Sequence, residues 1–375
     1  MKKPRILVTG GAGFVGTHLC CELVRLGYTV RVLDNLDAQV HGKSLRKPKA
    51  LPDTIEWMKG DVTRPADVAR AMTGVDYVYH FAAAVGVGQS MYQVRHYMNT
   101  NSMGGATVLE SVIRHRDKIR KVIVASSMSL YGEGLCECPK CGPVSPRIRT
   151  VAQFRRRDWD VHCNICDSIL TPRPTPETKP LNPRSIYAIT KRDHEESFLA
   201  VGEAYSIPTV ALRFFNIYGP LQALSNPYTG IAAIFSGRMI NDQPPIIFED
   251  GQQSRDFTHI SDIVQACVLS LTRKEANQQV FNVGTGKPTS VLGIAKLLAD
   301  RLGFNRKPKI LHRFRAGDIR YCYADISRIQ NLLGYSPKMT LERGISNLIA
   351  WMAAQNGKDS VPVAMSELKS MGLIQ

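Results

Sequence analysis

The chain has 375 residues, 44% of them hydrophobic and 21% charged, with a formal net charge of +16. That length suits two lobes of an α/β protein, and the absence of repeats, low-complexity tracts or membrane-length apolar runs leaves an ordinary globular composition. The basic residues are dispersed apart from the run Arg147 to Arg157, and no nucleic-acid motif accompanies them. The charge therefore reads as a field attracting an anionic substrate or an acidic surface, and no nucleic-acid or membrane partner is expected.

In chain order, Arg5–Thr9 opens as a strand, since its apolar run is too short for a signal sequence and leads into a glycine turn. Thr29–Leu33, Tyr77–Phe81 and Lys121–Ala125 read as further buried parallel strands, with a shorter one before Gly60. Thr17–Leu26, Pro65–Ala71 and Ser102–Arg114 read as crossover helices, which predicts a doubly wound Rossmann sheet. Residues Cys136–Pro176 are rich in Pro, Arg and Cys and show no core periodicity. Regular structure resumes with Ser185–Tyr205 as a helix and Thr209–Phe215 as a strand, and Ser290–Leu302 and Leu341–Ala354 are amphipathic helices of a smaller lobe. The expected domains are 1–135 with 177–218, an insert at 136–176, and a mainly substrate-binding lobe at 219–375 with some segments returning to the first domain. A cytoplasmic, reducing setting is expected, so the nine cysteines read as free or metal-bound.

Gly10-Gly11-Ala12-Gly13-Phe14-Val15-Gly16 follows a strand and opens a helix. Such glycines make a tight turn, admit a pyrophosphate and let helix and strand pack closely, while the helix N-terminus attracts the anion. Asp34 ends the next strand, placed to accept from ribose hydroxyls, and its charge repels a 2′-phosphate, so NAD is expected over NADP. Asp61 in Gly60-Asp61-Val62 is placed toward the adenine.

Tyr187 and Lys191 lie one helical turn apart. A tyrosine ionises near pH ~10, so a base at neutral pH needs about 4 kcal/mol of help, from the neighbouring ammonium and a positive nicotinamide ring. Ser127, at a strand end, can hold the oxygen that Tyr187 deprotonates.

These motifs resemble the extended short-chain dehydrogenase/reductase family, in its NAD-dependent nucleotide-sugar epimerase/dehydratase branch. The likeness continues through Asp34-Asn35-Leu36, His80-Phe81-Ala82-Ala83-Ala84, Asn101 to Thr107, Ser126 to Gly132, Arg213 to Pro220, Arg255-Asp256-Phe257-Thr258-His259, Asn282 to Gly286 and Arg315 to Asp318. The resemblance implies a triad of Ser127, Tyr187 and Lys191. It implies tightly bound NAD, held by Gly10, Gly13, Phe14, Val15, Gly16, Asp34, Asn35, Leu36, Asp61, Val62, Phe81, Ala82, Ala83, Ala84 and Asn101 together with Tyr187 and Lys191. It further implies a nucleotide-sugar substrate, a dTDP- or UDP-hexose, with Asn216, Arg255 and Arg315 near the diphosphate, Asp318 near the ribose, Phe248 near the base and Ser129 shaping the sugar pocket.

Dehydratases of the branch carry Asp-Glu directly after the catalytic Ser or Thr, whereas Met128-Ser129 stand here, so elimination of water is disfavoured. A 4-epimerase needs only the triad: oxidation at C4, rotation of the 4-keto sugar, and re-reduction. A UDP-glucose or uronate 4-epimerase, a decarboxylase and a 4-keto reductase stay open, although Val85 replaces a lysine typical of galactose epimerases and Asp34 opposes an NADPH-consuming reductase.

Cys138-Pro-Lys-Cys141-Gly and Cys163-Asn-Ile-Cys166 have the spacing of a four-cysteine structural zinc site, with Cys136 and His162 as spare ligands. Cys20, Cys21, Cys267 and Cys322 read as packed residues. The insert, with Pro174 to Glu177 and Ala223 to Gly230, resembles bacterial dTDP-L-rhamnose 4-epimerases, implying conversion of dTDP-L-rhamnose to dTDP-6-deoxy-L-talose. Its place in the chain makes it a candidate flap over the sugar or a dimer contact; Arg147, Arg149, Arg155, Arg156 and Arg157 read by default as a solvated basic surface, with contact to phosphates as the alternative. Family analogy implies a homodimer through Ser102–Arg114 and Ser185–Tyr205.

Overall fold

The computed structural model describes residues 3–374 apart from 43–45, 224–225, 227–229, 316, 354–358 and 360. Seven runs form one sheet: β1 (Arg5–Thr9), β2 (Thr29–Asp34), β3 (Glu56–Lys59), β4 (Tyr77–His80), β5 (Lys121–Ser127), β6 (Thr209–Phe214) and β7 (Gln279–Val283). Their order is β3-β2-β1-β4-β5-β6-β7, and every pairing is parallel. A parallel sheet is covered on both faces, and the strand period of two divides its side chains between two cores. Ile6, Val32, Tyr79, Ile123 and Leu212 face α1 (Phe14–Arg25) and the helix Ile260–Thr272. Leu7, Leu33, Val78, Val122 and Ala211 face α2 (Pro65–Met72), α3 (Gly104–Arg114) and α4 (Ile186–Ala204). The chain reverses its direction of winding between β1 and β4, which opens a crevice at their C-terminal ends.

Differences from the sequence reading have local causes. β5 runs past Ala125 because Ser126 and Ser127 pair with Arg213 and Phe214 of β6. The helix expected from Ser102 begins as a wider π-type turn, Met98–Met103, before α3 proper. Of the residues beyond Gly219, some of which were expected to return to the first domain, β7 is the run that pairs with β6 and completes the sheet. The helix expected to Ala354 runs Leu341–Met352, and residue 354 lies outside the described residues.

The smaller lobe packs Ile231–Ile240, Val291–Leu302 and Leu341–Met352 around Phe235, Phe257, Ile294, Leu298, Ile345 and Leu348. The insert, which shows no core periodicity in sequence, has a small core: Val144, Val161 and Leu170 pack with Cys136, Cys138 and Cys163. Its strand Cys136–Cys138 lies between Gly142–Val144 and Thr171–Pro172, both antiparallel to it. Three short strands repeat too few residues for a period to show. Among the described residues, no helix is long and apolar enough to cross a membrane.

Candidate active site

The crevice is a cleft of about 630 Å³ that runs from the glycine turn to Tyr187 and Lys191. At the first end, Gly10 has a φ of +69°, and a Cβ there would sit 2.7 Å from the Ala82 nitrogen. A Cβ on Gly16 would sit 2.3 Å from the Gly10 carbonyl oxygen, so α1 can start against the turn only with glycine. No side chain caps the α1 N-terminus at Gly13, which leaves backbone donors facing the cleft. The Asp34 carboxylate accepts from the backbone N–H of Ala12 at 3.0 Å and of Leu36 at 2.9 Å, which fixes its orientation. Each of its oxygens keeps a further lone pair for a ligand hydroxyl.

Of the residues expected to bind cofactor, Gly10, Gly13, Phe14, Val15, Gly16, Asp34, Asn35, Val62 and Phe81 to Ala84 line this cleft. Leu36 and Asn101 are buried behind it. Asn101 braces the wall, accepting from Ala84 N–H at 2.7 Å and donating to Thr190 Oγ1 at 2.9 Å. Asp61 accepts from Asn35 Nδ2 at 3.1 Å and from Thr63; burial raises its pKa, but these bonds hold it below the usual carboxylate range.

At the other end, the Ser185 hydroxyl caps α4 by accepting from Ala188 N–H at 3.1 Å, which sets Tyr187 in the first turn and Lys191 one turn on. Lys191 Nζ donates to the Ala125 carbonyl oxygen at 2.9 Å, and burial pushes its pKa down to about 7. Burial raises the Tyr187 pKa, and a hydrogen bond with Ser127 works against the rise. The sequence reading assigned the lowering of that phenol to the Lys191 ammonium together with a nicotinamide ring; in the folded chain the burial of Tyr187 and Lys191 acts against both of their charged forms. Ser129 Oγ donates to Ser127 Oγ at 2.9 Å, and Met128 is buried, so no carboxylic acid stands at these two positions.

Behind Ser127 lies a buried polar network. Ser126 Oγ donates to Glu195 at 2.6 Å, Arg213 Nε donates to Glu195 at 2.9 Å, and Arg213 Nη1 donates to the Tyr131 hydroxyl at 2.7 Å. It ties β5 to β6 and α4, the three elements that carry the site. Sequence reasoning missed a second brace. Tyr97, buried and edge-on to Tyr187 at 6.5 Å, donates to Gln89 Oε1 at 3.0 Å, and Gln89 Nε2 donates to Gln39 Oε1 at 2.8 Å. Isolated glutamines carry no motif, so nothing in the sequence singled them out.

The expected substrate residues fall into two groups. Ser129 and Asn216 line the cleft with the triad. Phe248, Arg315 and Asp318 gather elsewhere: the Arg315 guanidinium lies 4.7 Å from the Phe248 ring centre and pairs with Asp318 at 2.9 Å. Arg255 donates to the carbonyl oxygens of Ile319 at 2.8 Å and Arg320 at 3.1 Å, which holds the chain that carries Asp318. The segment from Ala223 to Gly230 falls largely outside the described residues.

The sulfurs of Cys138, Cys141, Cys163 and Cys166 lie within 4.8 Å of one another. Cys136 is buried outside this group, and His162 is engaged with Asp158 and the Asp167 carbonyl. Arg147, Arg155, Arg156 and Arg157 are exposed, as a basic surface should be. Arg149 departs from that reading: it is buried and makes a two-pronged pair with Glu249, at 2.7 and 3.0 Å.

Two family models match the chain: the NAD dependent epimerase/dehydratase family over residues 6–148, and GDP-mannose 4,6 dehydratase over 170–348. The insert residues between 148 and 170 fall outside both. A dTDP-L-rhamnose 4-epimerase of Burkholderia thailandensis is 34% identical, with 94% of this chain and 95% of that one covered. Among solved structures, UDP-glucose 4-epimerase of Thermotoga maritima with UDP-glucose superposes with a TM-score of 0.76 at 29% identity, covering 93% of this chain and 98% of that one. The Thermus thermophilus UDP-glucose 4-epimerase complex with NAD gives a TM-score of 0.73 at 25% identity, covering 94% of this chain and 100% of that one.

Proposed function

The chain belongs to the NAD-dependent epimerase/dehydratase family, and from that premise we propose that it is a nucleotide-sugar 4-epimerase. One observation carries this reading. Tyr187 and Ser127 stand at one end of a cleft whose other end is the glycine turn and Asp34, while Met128 and Ser129 provide no acid for dehydration. The glycine cradle, the uncapped α1 terminus and the oriented Asp34 suit the pyrophosphate and ribose of a dinucleotide. Bound there, NAD supplies an acceptor that takes hydride from sugar C4 and returns it, so no reductant is consumed.

The chain's own residues manage the oxygen. Tyr187 takes the C4 hydroxyl proton as phenolate and restores it after the sugar has turned. Ser127, held by Ser129, keeps that oxygen beside Tyr187. Lys191 in its protonated form, tethered to β5, and the hydrogen bond with Ser127 work against the burial that disfavours the phenolate.

The substrate reading is dTDP-L-rhamnose, giving dTDP-6-deoxy-L-talose. It is supported by the Burkholderia relative and by Val85 and Val87, which offer exposed apolar surface to the cleft, suited to a methyl group at C6. A UDP-hexose is the second reading, favoured by the likeness to the Thermotoga enzyme with UDP-glucose. Product NMR on dTDP-L-rhamnose, UDP-glucose and UDP-glucuronate, without added reductant, separates them. Failure to invert C4 in any nucleotide hexose, or release of a 4-keto-6-deoxy sugar, would refute the epimerase.

The four-cysteine cluster is read as a structural zinc site. A tetrahedral zinc with bonds near 2.3 Å places sulfurs about 3.8 Å apart, which this grouping accommodates. With four thiolates the ion has no open position for catalysis. A homodimer through α3 and α4 is supported by the exposed apolar side chains of Met103, in the turn that leads into α3, and Ile189 of α4.

A further inference from the structure

Arg149 is the one member of the insert's arginine run that is buried, and its side chain is 1% exposed. Its guanidinium lies 4.6 Å from the centre of the Phe154 ring, which stacks on Phe314 at 4.5 Å. Nη1 donates to the Trp159 carbonyl oxygen at 3.0 Å, so the arginine is held from within the insert. Outward, it grips two separate segments of the lobe. It pairs in two-pronged fashion with Glu249, adjacent to Phe248, and Nη2 donates to the Asp318 carbonyl oxygen at 3.3 Å. Glu249 also faces Arg320 at 3.3 Å. Glu133, where the chain enters the insert, accepts from the backbone N–H of Arg320 at 2.8 Å and of Tyr321 at 3.1 Å. These charges are withdrawn from water, so their geometry is steep and the segments they join cannot drift independently.

We propose that Arg149 is a positioning residue for the nucleotide end of the substrate site, and that the cysteine-folded insert acts as a strut holding Phe248, Arg315 and Asp318 in register. This replaces the flap over the sugar expected from chain order. Among the described residues, none between 136 and 176 lines the cleft that holds Tyr187. An insert acting at the sugar should touch that cleft, whereas this one grips the neighbours of the residues assigned to base, diphosphate and ribose. The proposal rests on that assignment.

The test measures binding of dTDP and UDP by calorimetry to the full-length enzyme, with NAD and metal content checked, and then KM against kcat. Arg149→Met is expected to weaken nucleoside diphosphate binding roughly tenfold, within the span of coupling between sites. KM should rise with it while kcat stays within about twofold. Because Arg149→Met leaves Glu249 buried without its partner, the double variant Arg149→Met/Glu249→Gln serves where the single one fails to fold. Arg149→Lys, which keeps the charge but loses the two-pronged pair, should fall between. Unchanged nucleoside diphosphate affinity in the folded double variant overturns the strut, as does a fall in kcat with KM unmoved. Arg315→Ala is measured alongside. If it binds both nucleotides as tightly as the wild type, it is the nucleotide-site assignment that fails.

Discussion

Lys191 Nζ donates to the carbonyl oxygen of Ala125 at 2.9 Å, which fastens the ammonium of α4 to the strand that ends in Ser127. Together with the Ser126–Glu195 hydrogen bond, it registers the base-carrying helix against the hydroxyl-carrying strand. The charge it holds is buried, and burial has measurable consequences.

The first concerns pH. Burial lowers the Lys191 pKa from 10.5 to about 7. Between those values the unfolded chain holds a proton at this residue that the folded chain has released. Stability contributed by this group therefore rises with pH across the window, by at most about 1.4 kcal/mol per pH unit. Urea unfolding of cofactor-free wild type and Lys191→Met should show the wild type gaining on the variant as pH rises from neutrality. Parallel curves would sink the idea.

Tyr187→Phe removes the group that moves the proton and should lower kcat by about 10²–10⁴, the usual range for a general acid or base. NAD should still copurify with the variant, because the cradle at Gly10 and Asp34 is untouched. A variant that turns over at the wild-type rate rules out the mechanism.

Arg213 and Glu195 are nearly fully buried together, with side-chain exposures of 6% and 4%. Arg213→Met leaves the Glu195 carboxylate without its partner and should cost ~3–5 kcal/mol of stability. Pairing it with Glu195→Leu should recover most of that loss. Equal destabilisation of single and double variants would show that packing, not charge, dominates here.

Freshly purified protein should contain one zinc per chain, bound by the four clustered sulfurs. Cys163→Ser should lower the metal content and make the insert the first site of proteolysis, with NAD retained, because the insert does not line the cleft. Metal-free protein with a protease-resistant insert would refute the structural role.

Local sequence was enough for the parts of this protein that depend on local physics. A glycine turn between a strand and a helix, an acid at the next strand end, and a Tyr and Lys one turn apart each carry their geometry within a few residues. β1 matches its expected bounds for that reason, and α4 is offset by a single residue at each end. Long-range pairing was not legible. Nothing near Gln279–Val283 marks it as the outer strand of a sheet begun at Arg5, because that place is decided by β6. Nor does a run of arginines announce which one will be dehydrated. Arg149 looks like its neighbours in the chain, and only the arrival of Glu249, 100 residues away, makes its burial tolerable. The sequence by itself placed the glycine turn, Asp34, Ser127, Tyr187 and Lys191 on the elements that carry them, and so pointed to chemistry at C4. The tertiary structure decided that the insert leans on the segments carrying Glu249 and Asp318, because there the buried Arg149 finds a carboxylate and a carbonyl oxygen.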